Sequence, residues 1–337
     1  MIPERSSHKQ AAPAWQHELR HAFSRPADLL EYLQLDPALP QLRLEALKDF
    51  PLRVPRGFAA RMKKGDPDDP LFLQIWPQTL EDEAAAGYGA DAVGDLKNLR
   101  AGGVIHKYRG RALVIATGAC AVHCRYCFRR HFPYSEQLAA REHRREALQT
   151  IAADSSIEEV ILSGGDPLSL SDEKLSEFSE ALEQVPHVRV LRIHTRQVVV
   201  LPERVDQPLL GWLARGRLQK VMVVHVNHAQ ELDPGAERAL RRLRELPLTL
   251  LNQSVLLRGV NDRSEVLENL FKRLFSCGVL PYYLHILDRV RGAAHFQVKE
   301  ETARRLMREL SGRLPGYLVP KLVREDAGAP AKTWIAW

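Results

Sequence analysis

Four cysteines in 337 residues are too few to staple a chain of this size, and three of them, Cys120, Cys124 and Cys127, crowd into one short stretch. Thiols so close make a poor set of structural disulfides, which argues against a disulfide-framed secreted fold and for a reducing, cytoplasmic setting. No apolar run nears the roughly 20 residues needed to cross a bilayer. The first residues, with Glu4, Arg5, His8 and Lys9, lack the apolar stretch of a secretion signal, so no membrane contact is expected. Blocks of like charge are missing too. The 48 basic and 42 acidic residues leave a formal charge of +6, with arginines scattered through the chain, and nothing in that balance calls for nucleic acid.

What is present suits one large domain or a domain with an added segment, because 45% hydrophobic residues supply a sizeable core. Residues 1–100 are punctuated by proline and carry short helical patterns over 27–35 and 42–50, which reads as a helical lead-in. Gly65-Asp66-Pro67-Asp68-Asp69-Pro70 must be a loop, its acids reading as a helix cap before a metal site. From about residue 111 short apolar runs alternate with longer amphipathic stretches, at 112–117, 159–163, 188–194, 220–225, 249–255 and 282–287. Their starts recur roughly every 30 residues, the spacing of a strand with its crossover helix. Six such units of similar length predict an α/β fold: an incomplete (β/α)6 TIM-like barrel over 101–315 after the N-terminal helical segment, with its site at the C-terminal ends of the strands. Residues 316–337 read as a strand, a Gly/Pro-containing loop and a short ending.

The three clustered cysteines have the spacing C-x3-C-x2-C and follow the first predicted strand. Thiolates are the usual ligands of iron–sulfur clusters, and a four-iron cluster takes four of them, so three leave one iron open to an outside ligand. A zinc site completed by His123 or His131, or three incidental thiols, is the competing reading. The spacing matches the signature of the radical S-adenosylmethionine superfamily, in which that outside ligand is the cosubstrate. Ser163-Gly164-Gly165-Asp166-Pro167 follows the second strand where that superfamily carries a Gly-Gly-Glu-like segment, implied to meet the cosubstrate's amino group through backbone carbonyls. By itself the segment would be a glycine turn.

Cys127 is followed by Phe128-Arg129-Arg130-His131-Phe132, and His106-Lys107-Tyr108-Arg109-Gly110-Arg111 leads into the strand before it. Together with residues 65–71, 200–204, His225-Val226-Asn227-His228, 252–262 and 281–296, these segments resemble the lysine 2,3-aminomutase family from about residue 50 to the end. The resemblance implies an isomerase that converts L-α-lysine to (R)-β-lysine with a [4Fe-4S] cluster, S-adenosylmethionine and pyridoxal phosphate. It implies Lys332, on the loop Asp326-Ala327-Gly328-Ala329-Pro330-Ala331-Lys332, as the lysine that holds pyridoxal phosphate; Lys321, in the strand-like run 319–323, is the rival. Lys107 and Arg111 match the phosphate-contacting arginines, with lysine replacing arginine at 107. Arg129 matches the residue for the substrate α-carboxylate. Asp288 matches one of two acids for the distal ammonium, and Asp326 is the choice for the second, with Glu325 as the alternative. Gln253 matches a cosubstrate contact and Arg196, at the exit of the third strand, is a further candidate, with a structural hydrogen-bonding role the alternative for both; His225 and His228 face the same end, and His285 stands where the family often has tyrosine.

Residues 65–71 and the ending Pro330-Ala331-Lys332-Thr333-Trp334 are similar to the branch that makes β-lysine for modifying translation elongation factor P. That implies a functional link to elongation factor P and its lysine ligase, and an electron donor such as flavodoxin or ferredoxin; a homo-oligomer is allowed. A metabolic lysine 2,3-aminomutase is the alternative within the class. Arg125, Arg129, Arg130 and His131 keep open another class, a nucleic-acid-modifying radical enzyme or an iron–sulfur RNA-binding protein.

Overall fold

The computed structural model describes residues 13–39, 50–137 and 143–337. Among them ten strands form one sheet in chain order: β1 (Leu99–Arg100), β2 (Val104–Tyr108), β3 (Arg111–Thr117), β4 (Glu159–Gly164), β5 (Val190–Thr195), β6 (Gln219–His225), β7 (Leu248–Leu256), β8 (Leu280–Ile286), β9 (Lys321–Arg324) and β10 (Thr333–Trp334). Strands β3 to β9 run parallel, and antiparallel strands flank them, β1 and β2 at one end and β10 at the other. The six expected strands are all present. The strand read in the C-terminal segment is β9, which pairs parallel to β8 as a seventh parallel strand, so residues 316–337 continue the sheet.

Parallel strands are covered on both faces and therefore read as continuous apolar runs, as in Val160-Ile161-Leu162 and Met222-Val223-Val224, all buried. The crossover helices supply the outer layer. Helix Pro234–Arg244 is typical: it buries Ala236, Ala239, Leu240 and Leu243 along one face. Its start is set by Asp233, whose carboxylate accepts from the Ala236 amide, with Pro234 in the first turn. Cys277 ends helix Ser264–Ser276 inside this sheet–helix core. No helix of the described residues is long and apolar enough to cross a membrane.

The sheet curls strongly. Strands β2 and β9 are seven places apart in its order, about 34 Å if the sheet were flat, yet Lys107 Nζ of β2 lies 2.8 Å from Glu325 Oε1 just after β9. The two ends of the sheet therefore face each other across the interior, joined there by side chains.

The N-terminal segment is more than a lead-in. The pattern over 27–35 appears as helix Pro26–Leu33, while that over 42–50 falls almost wholly on 40–49, outside the described residues. Trp15, Leu29, Leu33, Phe58, Phe72 and Trp76 build a second core whose far wall is Ala121 and Val122 of the cysteine loop and Val200 and Leu201 after β5. Asp69 is the cap expected of its loop: its carboxylate accepts from the amides of Leu71 and Phe72 and from Lys63 N.

The same segment sends Glu81 into the cysteine loop. Its carboxylate takes both Nε and Nη2 of Arg125, at 2.8 and 2.5 Å, and Nη2 of Arg130 at 2.8 Å, with all three side chains buried. Removing the acid leaves two buried guanidiniums without a counter-charge. Glu81→Ala is expected to cost about 3–5 kcal/mol, measured by chemical unfolding, whereas Glu180→Ala on the exposed face of helix Asp172–Glu183 should change stability by less than about 0.5 kcal/mol.

Candidate active site

A cavity of about 340 Å³ runs through the interior of the curled sheet, from Arg111 at the start of β3 to the loops after the strands' C-terminal ends. Every parallel strand delivers a polar group to it: Arg111 from β3, Ser163 and Gly164 from β4, Thr195 and then Arg196 from β5, His225 from β6, Gln253 from β7, His285 and then Asp288 from β8, and Glu325 from the exit of β9. Cys120, Cys124 and Cys127, all free thiols, line it from the loop after β3, and Lys332 reaches it from the loop after β9.

The cysteine loop and the glycine segment are built against each other. Gly165 N donates to Thr117 O at 2.6 Å and Asp166 N to Ala119 O at 2.8 Å. A Cβ on Gly165 would sit 2.5 Å from Ala119 O, and Gly164 adopts φ +114°, so glycine is required at both places. The Asp166 carboxylate turns back into the fold. It accepts from Thr195 Oγ1 and from the amides of Leu168, Arg196 and Gln197, tying β4 to β5. Burial pushes Asp166 up despite these donors. Its side chain is thus engaged by the fold, while Ser163, Gly164, Gly165 and Asp166 together line the cavity.

Burial, reinforced by the neighbouring Cys124, pushes Cys127 up to about 11, and burial with Asp166 and the two other thiols raises Cys120 well above the ordinary range. Two thiols that burial and neighbouring negative charge hold back from ionising suit a site completed by a strong positive centre. Among the described residues no three His, Cys, Asp or Glu converge as ligands of a single metal ion do. The histidines that would complete a zinc set are engaged elsewhere: His123 Nδ1 lies 2.7 Å from Pro51 O and His131 Nε2 3.2 Å from Arg291 O. Three thiols from one loop lining one cavity are a donor set that suits a four-iron cluster with one iron left open.

Across the cavity runs a chain of alternating charge. Arg129 Nε donates to Asp95 Oδ2 at 2.7 Å, and Lys107 Nζ meets Asp95 Oδ1 at 2.6 Å. Lys107 Nζ also meets Glu325 Oε1 at 2.8 Å, and Glu325 Oε2 takes Lys332 Nζ at 2.5 Å. Burial alone would raise both acids, but Arg129 with Lys107 hold Asp95 low, and Lys332 with Lys107 hold Glu325 well below the carboxylate range. Asp288 behaves otherwise: burial and then Glu325 push it up to about 7 against the pull of Lys332 and Lys107.

Most of the expected site residues meet here, with corrections. Asp326 does not line the cavity: half-exposed, it pairs with Arg324 at 3.0 Å and accepts from Thr333 Oγ1, while its neighbour Glu325 faces in. Successive residues of an extended strand point to opposite sides, so a shift of one position exchanges the two. Lys321, the rival lysine, is exposed under the Trp334 ring. His228 caps a turn by accepting from Gln230 N, whereas His225 lines the cavity with Nε2 2.8 Å from the Tyr126 hydroxyl. Arg125 and Arg130 are buried against Glu81, which removes the basic surface that suggested nucleic acid. Sequence reasoning missed Asp95, which sits in no motif, and Glu231, whose only trace is its place three residues after His228.

Residues 114–208 match the model of the Radical SAM superfamily. The L-lysine 2,3-aminomutase of Escherichia coli (strain K12) is 46% identical over 95% of this chain and 93% of its own length, and that of Haemophilus influenzae 47% identical over 96% and 95%. The chain belongs to the lysine 2,3-aminomutase family. A more distant member, from Clostridium subterminale, is 31% identical over 95% of this chain and 77% of its own. Membership makes the protein a radical S-adenosylmethionine isomerase, a family that works with a four-iron cluster and S-adenosylmethionine. The fit for pyridoxal phosphate rests on Lys332, Lys107 and Arg111 around one cavity, and on His194 Nε2, His285 Nε2 and Arg196 Nε, buried polar atoms of the lining without a partner.

Alanine in place of Cys120, Cys124 or Cys127 is expected to abolish iron binding, read by iron analysis and visible absorbance after anaerobic reconstitution. Cys277→Ala should retain full iron and lose about 1–2 kcal/mol of stability from its core cavity.

Proposed function

We propose that this protein converts L-α-lysine to (R)-β-lysine using a [4Fe-4S] cluster, S-adenosylmethionine and pyridoxal phosphate. The observation that carries the reading is the sorting of charge in one cavity: thiols on one wall, and on the other cations for a phosphate and a carboxylate beside acids for an ammonium. When bound, the cluster and cosubstrate supply a radical able to take an unactivated hydrogen, and pyridoxal phosphate supplies an electron system that carries the migrating nitrogen.

The side chains then have separable tasks. Lys332 tethers pyridoxal phosphate, and Lys107 and Arg111 face its phosphate; Lys107 does so as a point charge without the arginine fork. Arg129, held by Asp95 and Ser163 Oγ, presents its guanidinium to the α-carboxylate. Glu325 and Asp288 receive the distal ammonium. Ser163, Gly164, Gly165, Gln253 and Arg196 hold the cosubstrate against the cysteine loop. His285, which burial keeps neutral, adds no charge beside the acids. Enclosure within the curled sheet keeps water and stray hydrogen donors from the radical, where positioning is the main contribution of a protein.

The β-lysine is assigned to β-lysylation of elongation factor P through its lysine ligase, with flavodoxin or ferredoxin as electron donor. Identities of 46% and 47% against 31% group the chain with the Escherichia and Haemophilus relatives rather than the clostridial one. A gene neighbouring those of elongation factor P and its ligase would support this role, and a lysine-catabolic neighbourhood would replace it with a metabolic one.

Anaerobic incubation with lysine, S-adenosylmethionine and dithionite should yield β-lysine on amino-acid analysis; none from fully loaded protein would sink the proposal. Lys332→Ala is expected to lose the absorbance of the bound pyridoxal group. Asp288 supplies a pH signature. Among Glu325, Asp95, Lys107 and Lys332 its carboxyl is protonated below about 7 and charged above, while lysine's ammonium, with a pKa of about 10.4, stays charged. The KM for lysine should therefore fall as pH rises through neutrality, and Asp288→Asn should raise KM and flatten that dependence.

A further inference from the structure

Arg196 follows β5 as a buried cation whose two terminal nitrogens serve four partners. Nη1 donates to Cys124 Sγ at 2.7 Å and to the Tyr126 hydroxyl at 2.9 Å, and Nη2 donates to Gln74 Oε1 and Glu231 Oε2, each at 2.8 Å. Its backbone is fixed as well, because Arg196 N donates to the Asp166 carboxylate.

Glu231 is fully buried, and its other oxygen accepts from the amides of Asn227 and His228 at 2.8 and 3.0 Å. The carboxylate is thus set by the turn after β6, and the guanidinium is set by the carboxylate. Gln74 extends the frame into the N-terminal segment: its side-chain oxygen also accepts from Asn227 Nδ2, and its backbone oxygen accepts from the amide of Arg125, next to Cys124 in the loop. Few side chains are held from so many directions, and the frame ends on a ligand sulfur.

A donor to a ligand sulfur withdraws electron density from it and favours the reduced cluster; a nearby cation acts in the same direction and a nearby anion against it. We infer that Arg196 is a positioning residue that sets the reduction potential of the cluster through its hydrogen bond to the Cys124 sulfur, with Glu231 as the opposing charge that holds it there. A cosubstrate contact through Nε is compatible with this role, since Nη1 and Nη2 alone make the bonds to sulfur and carboxylate. The inference rests on the cluster assignment and is independent of lysine and pyridoxal phosphate.

The test is a redox titration of the reconstituted cluster without either, followed by electron paramagnetic resonance of the reduced state. Arg196→Met should shift the midpoint negative, and Arg196→Lys, which keeps the charge and loses the fork, should lie between it and the wild type. Glu231→Gln should shift it positive. Opposite shifts at wild-type iron content are the expected result, which general loosening of the fold would not produce. Unchanged midpoints, or shifts of one sign in all three variants, would overturn it. Should the Arg196 variants fail to keep iron, Glu231→Gln decides alone, a null or negative shift counting against the inference. A wild-type protein that takes up no cluster would overturn it together with the cluster assignment, whereas an absence of β-lysine with the shifts intact would overturn only the lysine reading.

Discussion

Glu325 accepts from Lys107 on one side and Lys332 on the other, and the cavity's chemistry depends on that double contact. The two lysines come from opposite ends of a ten-strand sheet. Through Lys107 the constraint passes to Asp95 and on to Arg129, so that five residues from four regions of the chain take their positions from one another. Buried ion pairs are poor sources of net stability, because desolvation cancels much of the attraction. Their value here is geometric: alternating partners allow three cations to lie together, ready for anions, without repelling one another.

The cysteine loop obeys a parallel logic. It has no regular structure of its own, and its shape is imposed by charges from elsewhere: Glu81 from the N-terminal segment on Arg125 and Arg130, Gly292 O after β8 accepting from Arg130, and Arg196 on Cys124 itself. Apolar contact completes the grip, with Ala121 and Val122 pressed into the N-terminal core. The segment that looks peripheral in the sequence is therefore the back wall of the cysteine loop.

What could be read from the chain was what is local. The cysteine triplet, the glycine pair and the six apolar runs each occupy a few adjacent residues, and each appears in the structure where expected. The charge network could not be read, because its contacts join residues as far apart as Lys107 and Glu325, and no spacing rule connects them. Asp95 shows this plainly, being an unremarked acid in a loop until Lys107 and Arg129 are seen on either side of it. The choice of Asp326 over Glu325 failed for a narrower reason: at a strand exit the side-chain direction alternates residue by residue, and matching the loop by composition does not fix its phase.

Strand pairing stops at β1 and β10, and among the described residues the gap between the sheet's two ends is spanned by ion pairs rather than by a ladder. Such a seam yields differently from a backbone ladder. A guest with a phosphate, a carboxylate or an ammonium can exchange places with the side chains there, charge for charge, without breaking a single main-chain hydrogen bond. The barrel is in that sense fastened by groups of the same kinds that the proposed ligands carry, so admitting such a ligand and closing around it would be one rearrangement.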